Sequence, residues 1–181
     1  MTTIINMIGA PGTGKSTISA LAFYELKTQN QKAELIQEYV KDWAYEKRKI
    51  ESYDQIYFLA KQIRKESLLF NKVDYVITDS PVLMNQVYAK KFCSDHLYQA
   101  IKVSTEYYYK NVKADGHKHI NILLNRIKPY QTYGRFQTES ESDEIQVEIK
   151  NLLSELKVDF VECNADKDSV IGLLKELKIL S

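Results

Sequence analysis

Residues 9–16, Gly9-Ala10-Pro11-Gly12-Thr13-Gly14-Lys15-Ser16, form a GxxxxGK[ST] run between an apolar stretch and a helix-like stretch. Glycines let the backbone turn tightly, so that successive amide groups point inward at phosphate oxygens. A helix starting there adds the positive end of its dipole. Lys15 is of the type and at the place to reach β- and γ-phosphates, and Ser16 to set its hydroxyl on Mg²⁺. The expected contacts to Mg-ATP run from Gly9 through Thr17. The loop alone does not separate a kinase from a GTPase or a motor. The base-reading Asn-Lys-x-Asp run of a GTPase is absent from the sequence, and 181 residues are few for a large motor ATPase. A small kinase fits best.

A kinase needs a metal-ordering or proton-accepting acid and cations for the moving phosphoryl group. Asp79 follows the apolar run Tyr75-Val76-Ile77-Thr78 and precedes Ser80-Pro81. It is a candidate for the Mg²⁺ water shell or for accepting an acceptor hydroxyl's proton. The alternative is helix capping by Asp79 or Ser80, with Pro81 in the first turn. Glu38 ends the run Ile36-Gln37-Glu38, where a carboxylate would bind an acceptor hydroxyl or base, and Tyr39, Asp42 and Trp43 are candidates to frame the pocket. Arg126 and Arg135 lie in the polar segment after the fourth apolar run, with Tyr130 between them. Guanidinium groups meet phosphate bidentately. Pro129 and Gly134 would bound a mobile lid over about residues 126–142.

Other chemistry-bearing residues read as structural. His117 and His119 share a strand face by spacing, but no third ligand is evident, so they read as surface histidines. Tyr107-Tyr108-Tyr109 reads as a helix face packing on a sheet rather than a nucleic-acid stack. Cys93 and Cys163 form no CxxC and read as reduced thiols.

The elements that must hold these groups alternate in type. Strands are expected at Ile4–Ile8, Ala33–Tyr39, Val73–Thr78, His119–Leu124 and Val158–Cys163. Helices are expected at Ser16–Thr28, Tyr53–Asn71, Val82–Phe92, His96–Val112, Asp143–Leu156 and Ser169–Leu177. Such alternation implies a parallel sheet with right-handed crossovers, covered on both faces. The strands are β-branched-rich and non-alternating, as both-face burial requires. Lys41–Ser52 and Lys128–Ser142 break the pattern and read as binding or lid loops.

Composition agrees with a soluble globular domain: 44 % hydrophobic, 27 % charged, net charge +1, so no global charge favours or disfavours nucleic acid. Thirteen tyrosines against six Phe and one Trp fit half-buried helix–sheet seams or a stacking surface. No apolar run is long enough to span a bilayer and no basic leader precedes the first strand, so a cytoplasmic protein without a membrane partner is expected. Self-association as a homodimer stays open.

The whole layout resembles the small P-loop nucleoside and nucleotide kinases related to thymidylate kinase and to nicotinamide riboside kinases. That resemblance implies a single domain over residues 1–181. The fold implied is α/β, a three-layer P-loop fold with a five-stranded parallel sheet, helices on both faces and a lid. It implies catalytic roles for Lys15, Asp79, Arg126 and Arg135, and a nucleotide contact from the loop at Asn164 after the fifth strand, where the alternative is a plain turn with Asp166 or Asp168 capping the last helix. Arg126-x-Lys128-Pro129-Tyr130 followed by Gly134-Arg135-x-Gln137-Thr138-Glu139 is also similar to P-loop kinases of tailed bacteriophages. Some of those act on nucleotides, and others phosphorylate hydroxymethyluracil within DNA. For a phage-encoded protein the expected compartment is the host cytoplasm. Thymidylate kinases carry Asp-Arg after the third strand, where this chain has Asp79-Ser80. They place an Arg-containing clamp after the second strand, where this chain has Glu38-Tyr39. The acceptor therefore need not be a monophosphate. It would lie at about residues 38–55, and could be a free nucleoside, a nucleotide or a modified pyrimidine in DNA. A third alternative is an ATP-binding switch without small-molecule turnover.

Overall fold

The computed structural model describes residues 1–133 and 135–181. Five parallel strands stand in the order β2-β3-β1-β4-β5. They are β1 (Thr3–Ile8), β2 (Ala33–Ile36), β3 (Tyr75–Thr78), β4 (Lys118–Asn125) and β5 (Val161–Asn164). The helices are α1 (Lys15–Thr28), α2 (Val40–Tyr45), α3 (Asp54–Ser67), α4 (Asn85–Phe92), α5 (Asp95–Ala114), α6 (Glu139–Glu155) and α7 (Lys167–Glu176). A single 3₁₀ turn, Val82–Met84, leads into α4. The sheet order reverses at β1, so the ends of β1 and β3 open into one crevice, where doubly wound sheets bind ligands.

Both sheet faces are covered because β1 is apolar on both. Ile5 and Met7 join Ile18, Ala22 and Leu26 of α1 and Val170 and Leu174 of α7. Ile8 joins Val87 of α4 and Ile145, Ile149 and Leu153 of α6, while Ile4 packs with Val112 of α5. Asn6 is the polar exception. Its amide donates to Asn121 Oδ1 at 2.8 Å and lies 3.2 Å from His119 Nδ1. Among the described residues, no helix is long and apolar enough to cross a membrane.

Several expectations shift. β2 stops at Ile36, not Tyr39, because its ladder with β3 ends at Ile36↔Thr78 and the Glu38 amide, two residues on, donates to the Asp79 carboxylate at 2.8 Å instead. The segment Lys41–Ser52 is not all loop, since α2 occupies its start. None of the α2 residues is buried, so the segment carries no apolar periodicity to signal a helix. α6 begins four residues earlier than expected, at Glu139. Thr138 accepts from the Glu141 amide and Glu141 accepts from the Thr138 amide, a capping box legible as Thr-x-x-Glu. Asp166 caps α7, accepting from the Ser169 amide at 2.8 Å. The two histidines are not surface residues. His117 is buried, accepts the Thr2 amide at 3.0 Å and stacks on Phe70. His119 stacks on Tyr109 at 4.0 Å, and burial pushes its pKa down to about 4.

Candidate functional site

The phosphate loop joins β1 to α1 in one tight turn. Gly12 (φ 90°) and Gly14 (φ 97°) both take left-handed conformations that side chains resist. The Ala10 carbonyl gathers three donors: the Thr13 amide (3.3 Å), the Thr13 hydroxyl (2.9 Å) and the Lys15 ammonium (3.0 Å). On its outer side the loop is held by α6. The Ala10 amide donates to Gln146 Oε1 at 2.8 Å, and the Ser142 hydroxyl donates to the Pro11 carbonyl at 2.6 Å. Neither α6 residue was singled out from the sequence.

Residues 126–133 and 135–138 lie between β4 and α6, and Tyr130 and Arg135 among them return over the loop. The Tyr130 ring lies directly on Gly12, where a Cβ would stand 2.6 Å from it, so only glycine fits beneath this tyrosine. The Arg126 and Arg135 guanidinium groups flank that ring at 5.3 and 5.5 Å from its centre. Their other partners differ. Arg126 is paired to Glu139 at 3.0 Å and Asp143 at 2.7 Å. Arg135 makes no ion pair among the described residues, donates to the Gln131 carbonyl at 2.6 Å, and has its guanidinium carbon 3.8 Å from the same Gly12 Cβ position. Gly134, the second expected boundary of the lid, lies outside the described residues.

Across the loop, the ends of β2 and β3 bring Glu38 and Asp79 to Lys15. Asp79 is buried and uses one carboxylate oxygen to order the Glu38 backbone. It caps no helix; Pro81 occupies the cap of the 3₁₀ turn. Burial pushes the Glu38 carboxyl above the usual range, opposed by the Lys15 charge. Burial pulls the Lys15 ammonium down, opposed by Glu38 and Asp79, with Arg135 adding a smaller downward push. Four charges of alternating sign therefore act on one another at the crevice.

From this point a cavity of about 820 Å³ opens. Lys15, Ser16, Glu38 and Ser80 line its inner end. Gln55, Phe58 and Gln62 of α3 form one wall, and Met84, Asn85, Tyr88 and Phe92 another. Tyr39 and the α2 segment close a third side, and Gln131, Tyr133, Arg135 and Phe136 of the segment after β4 a fourth. Tyr133 and Tyr45, at 5.8 Å from each other and well exposed, mark the mouth with Lys47, Arg48 and Lys49.

The expected residues are thus brought together unevenly. Lys15, Ser16, Glu38, Tyr39 and Arg135 share the cavity, and Tyr130 sits on the loop. Asp42 is exposed and off the cavity wall. Trp43 packs edge-on against Phe58 at 4.9 Å, behind the wall rather than on it. Thr17 and Asn164 are exposed, although the loop after β5 approaches the phosphate loop, with Ala165 Cβ 3.5 Å from a Cβ placed on Gly14. Gln55, Phe58 and Gln62 were missed. Their i, i+3, i+7 spacing, with amides inside an apolar stripe, was the available signal.

The donor side fits the phosphates of ATP: left-handed glycines, a free helix N-terminus and a lysine turned into the loop. Among the described residues no group of three or more His, Cys, Asp or Glu could cage a metal. A Mg²⁺ ion shared with phosphates needs only one or two protein oxygens, which Ser16 and Asp79 could supply.

Fold and loop together define an α/β P-loop protein with a five-stranded parallel sheet. The chain belongs to the AAA domain family, whose model matches residues 4–169. No curated protein sequence matches it significantly. Among solved structures it is similar to the NadR protein in complex with NR, over 96 % of this chain and 51 % of that one, with a TM-score of 0.73 and 14 % identity. The NadR protein in complex with NAD and AMP-PNP matches with a TM-score of 0.71 and 13 % identity, over 96 % of this chain and 49 % of that one. This chain therefore spans about half the length of those NadR chains. Deoxyadenosine kinase from M. mycoides, with the products dCMP and a flexible dCDP bound, matches over 98 % of this chain and all of the other, with a TM-score of 0.62 and 15 % identity.

Proposed function

We propose that the protein is a kinase that moves the γ-phosphoryl group of Mg-ATP to a hydroxyl of a nucleoside-type acceptor. The observation that carries this reading is Glu38, set between Lys15 and Asp79 where the cavity meets the phosphate loop. A carboxyl that burial raises above its ordinary range is a stronger base, suited to take a hydroxyl proton as the oxygen attacks. The Glu38 carboxyl at that end of the cavity, with the Asp79 carboxyl beside it, disfavours an anionic acceptor and so favours a neutral hydroxyl over a monophosphate. The cavity is of ligand size and walled by aromatic rings with a few amides, as suits a base and sugar. The similarity to deoxyadenosine kinase and to NadR with NR bound supports the same class of acceptor.

In this reading Lys15 and the loop amides hold the phosphates, and Ser16 with Asp79 would hold Mg²⁺, which would neutralise phosphate charge. Glu38 accepts the proton of the acceptor hydroxyl. Arg135 is the lid cation for the transferring group, because Arg126 is already neutralised by Glu139 and Asp143. Tyr130 holds both lid arginines against the loop.

A second reading rests on the mouth of the cavity, where Lys47, Arg48 and Lys49 stand beside Tyr45 and Tyr133. Cations interleaved with exposed aromatics suit a nucleic-acid strand, so the acceptor would be a hydroxymethylated pyrimidine presented within DNA. A screen with γ-labelled ATP separates the readings. Label on a free nucleoside supports the first, and label on polymeric hydroxymethylated DNA the second. ATP binding with transfer to no acceptor leaves only a switch module.

A further inference from the structure

Behind the cavity wall lies a buried carboxyl that the reaction above does not use. Glu66, on α3, is 1 % exposed. Its Oε1 accepts from the Gln62 amide nitrogen at 2.8 Å, and its Oε2 accepts from the Tyr108 hydroxyl at 3.0 Å. The same Gln62 nitrogen also donates to the Thr78 hydroxyl at 3.1 Å. An amide nitrogen has two hydrogens, so both are taken. The Gln62 oxygen has no partner among the described residues, and Gln62 lines the cavity.

We infer that Glu66 is a positioning residue for acceptor choice: it pins the Gln62 amide so that the oxygen, not the nitrogen, faces the pocket. The pocket then accepts a hydrogen bond at this point and favours acceptors that present an N–H group there. This rests on the proposed nucleoside-type acceptor. The physical reason is that a turned amide would set its oxygen against a carboxylate oxygen, two acceptors with no proton between them. Protonating Glu66 removes that obstacle, since the carboxylic acid can donate to the turned amide's oxygen. Thr78 permits either orientation, because its hydroxyl can donate or accept.

The surroundings make Glu66 sensitive to pH near neutrality. Burial raises its carboxyl to about 7 against the pull of its two hydrogen bonds. Tyr108 of α5 is the titratable group that touches it, and Thr78 of β3 lies across Gln62. His117 is further off, stacked on Phe70. Among the described residues no cation pairs with Glu66. Neighbouring Lys65 turns outward to the Gln37 carbonyl.

The test is calorimetric binding of two nucleoside pairs, adenosine against inosine and cytidine against uridine, to the full chain. In each pair an exocyclic amino group is exchanged for a carbonyl oxygen. From about pH 5.5 to about pH 8 all four nucleosides stay predominantly uncharged, and Glu66 titrates within that range. The Glu38 carboxyl, also raised by burial, is present in the unaltered protein and in Glu66→Gln alike, so the difference between the two reports Glu66. For the pair that binds, the amino member should bind on the order of tenfold more tightly at the high end. The preference should fall severalfold toward the low end, with a midpoint near 7. In Glu66→Gln the preference should be weak or reversed and independent of pH, because the new amide can donate to Gln62. Tyr108→Phe, which leaves the Gln62–Glu66 bond in place, should keep the wild-type preference at high pH. A preference in the unaltered protein that is flat with pH, or one that survives Glu66→Gln, overturns the inference while leaving the kinase reading intact. Should Glu66→Gln not fold, Gln62→Leu takes its place: loss of both the preference and its pH dependence supports the inference, and survival of either overturns it. Binding of no nucleoside at all sinks the acceptor class, and this inference with it.

Discussion

The proposed donor and acceptor halves of the crevice are built on different physical principles. The donor half is a contiguous stretch, Gly9–Ser16, whose working atoms are backbone amides held by left-handed glycines and by one carbonyl with three donors. The acceptor half gathers side chains from the segment after β2, from α2, α3, the 3₁₀ turn and α4, and from the proposed lid. Backbone geometry tolerates variation in the residues around it, whereas a pocket of side chains changes ligand with each substitution. Phosphate binding should therefore resist changes in the acceptor half, and acceptor choice should resist changes in the phosphate loop.

The sharpest way to break this comparison is to strike the donor half. Lys15→Ala removes the ammonium turned into the loop. It should lower phosphotransfer by on the order of 10²- to 10³-fold, comparable to losing a preorganised donor at a transition state, as measured by label transfer from ATP. Next comes the contrast within the lid. Arg135→Ala should lower kcat by roughly 10²-fold. Arg126→Ala should cost less than about tenfold, because its charge is spent on Glu139 and Asp143, and should show instead as a lowered Tm. Equal kinetic losses would erase the distinction drawn between the two arginines. In the acceptor half, Gln55→Leu should raise the acceptor KM by about tenfold with kcat and ATP affinity unchanged. A loss of ATP affinity would show that the halves are not separable.

The smallest effect is on stability. The Glu66 carboxyl is raised from its ordinary 4.5 to about 7. Its contribution is thus fully present below about pH 4.5 and is lost as pH rises through about 7. Glu66→Gln should accordingly be more stable than the unaltered chain near pH 8, by at most roughly 3 kcal/mol. That difference should narrow toward pH 5, as followed by urea unfolding at both values.

The two halves also differ in how far the amino-acid sequence discloses them. The phosphate loop and the five-strand α/β plan were legible, because glycine spacing and buried apolar runs are local signals. Glu38, Asp79 and Arg135 were legible as candidates, since each follows a strand that the pattern reveals. The acceptor wall was not. α2 has no buried residue to mark it. Trp43 looked like a pocket residue but packs on Phe58. Gln55 and Gln62 take their meaning from α4 and the lid, which face them only after folding. The two histidines misled for a similar reason. Their burial comes from Phe70 and Tyr109, distant in sequence. Arg126 and Arg135 looked equivalent until Glu139 and Asp143, in the first turns of α6, were seen to hold one and not the other.

The central claim is that Glu38 takes the proton of a neutral acceptor hydroxyl beside the phosphate loop. Its most direct test is transfer of label from γ-labelled ATP to nucleosides by the unaltered protein and by Glu38→Gln. The account predicts a labelled nucleoside monophosphate with the former, a rate roughly 10²- to 10⁴-fold lower with the latter, and equal ATP affinity in both. Full transfer by Glu38→Gln, or label that reaches no nucleoside and no nucleic acid, would contradict it.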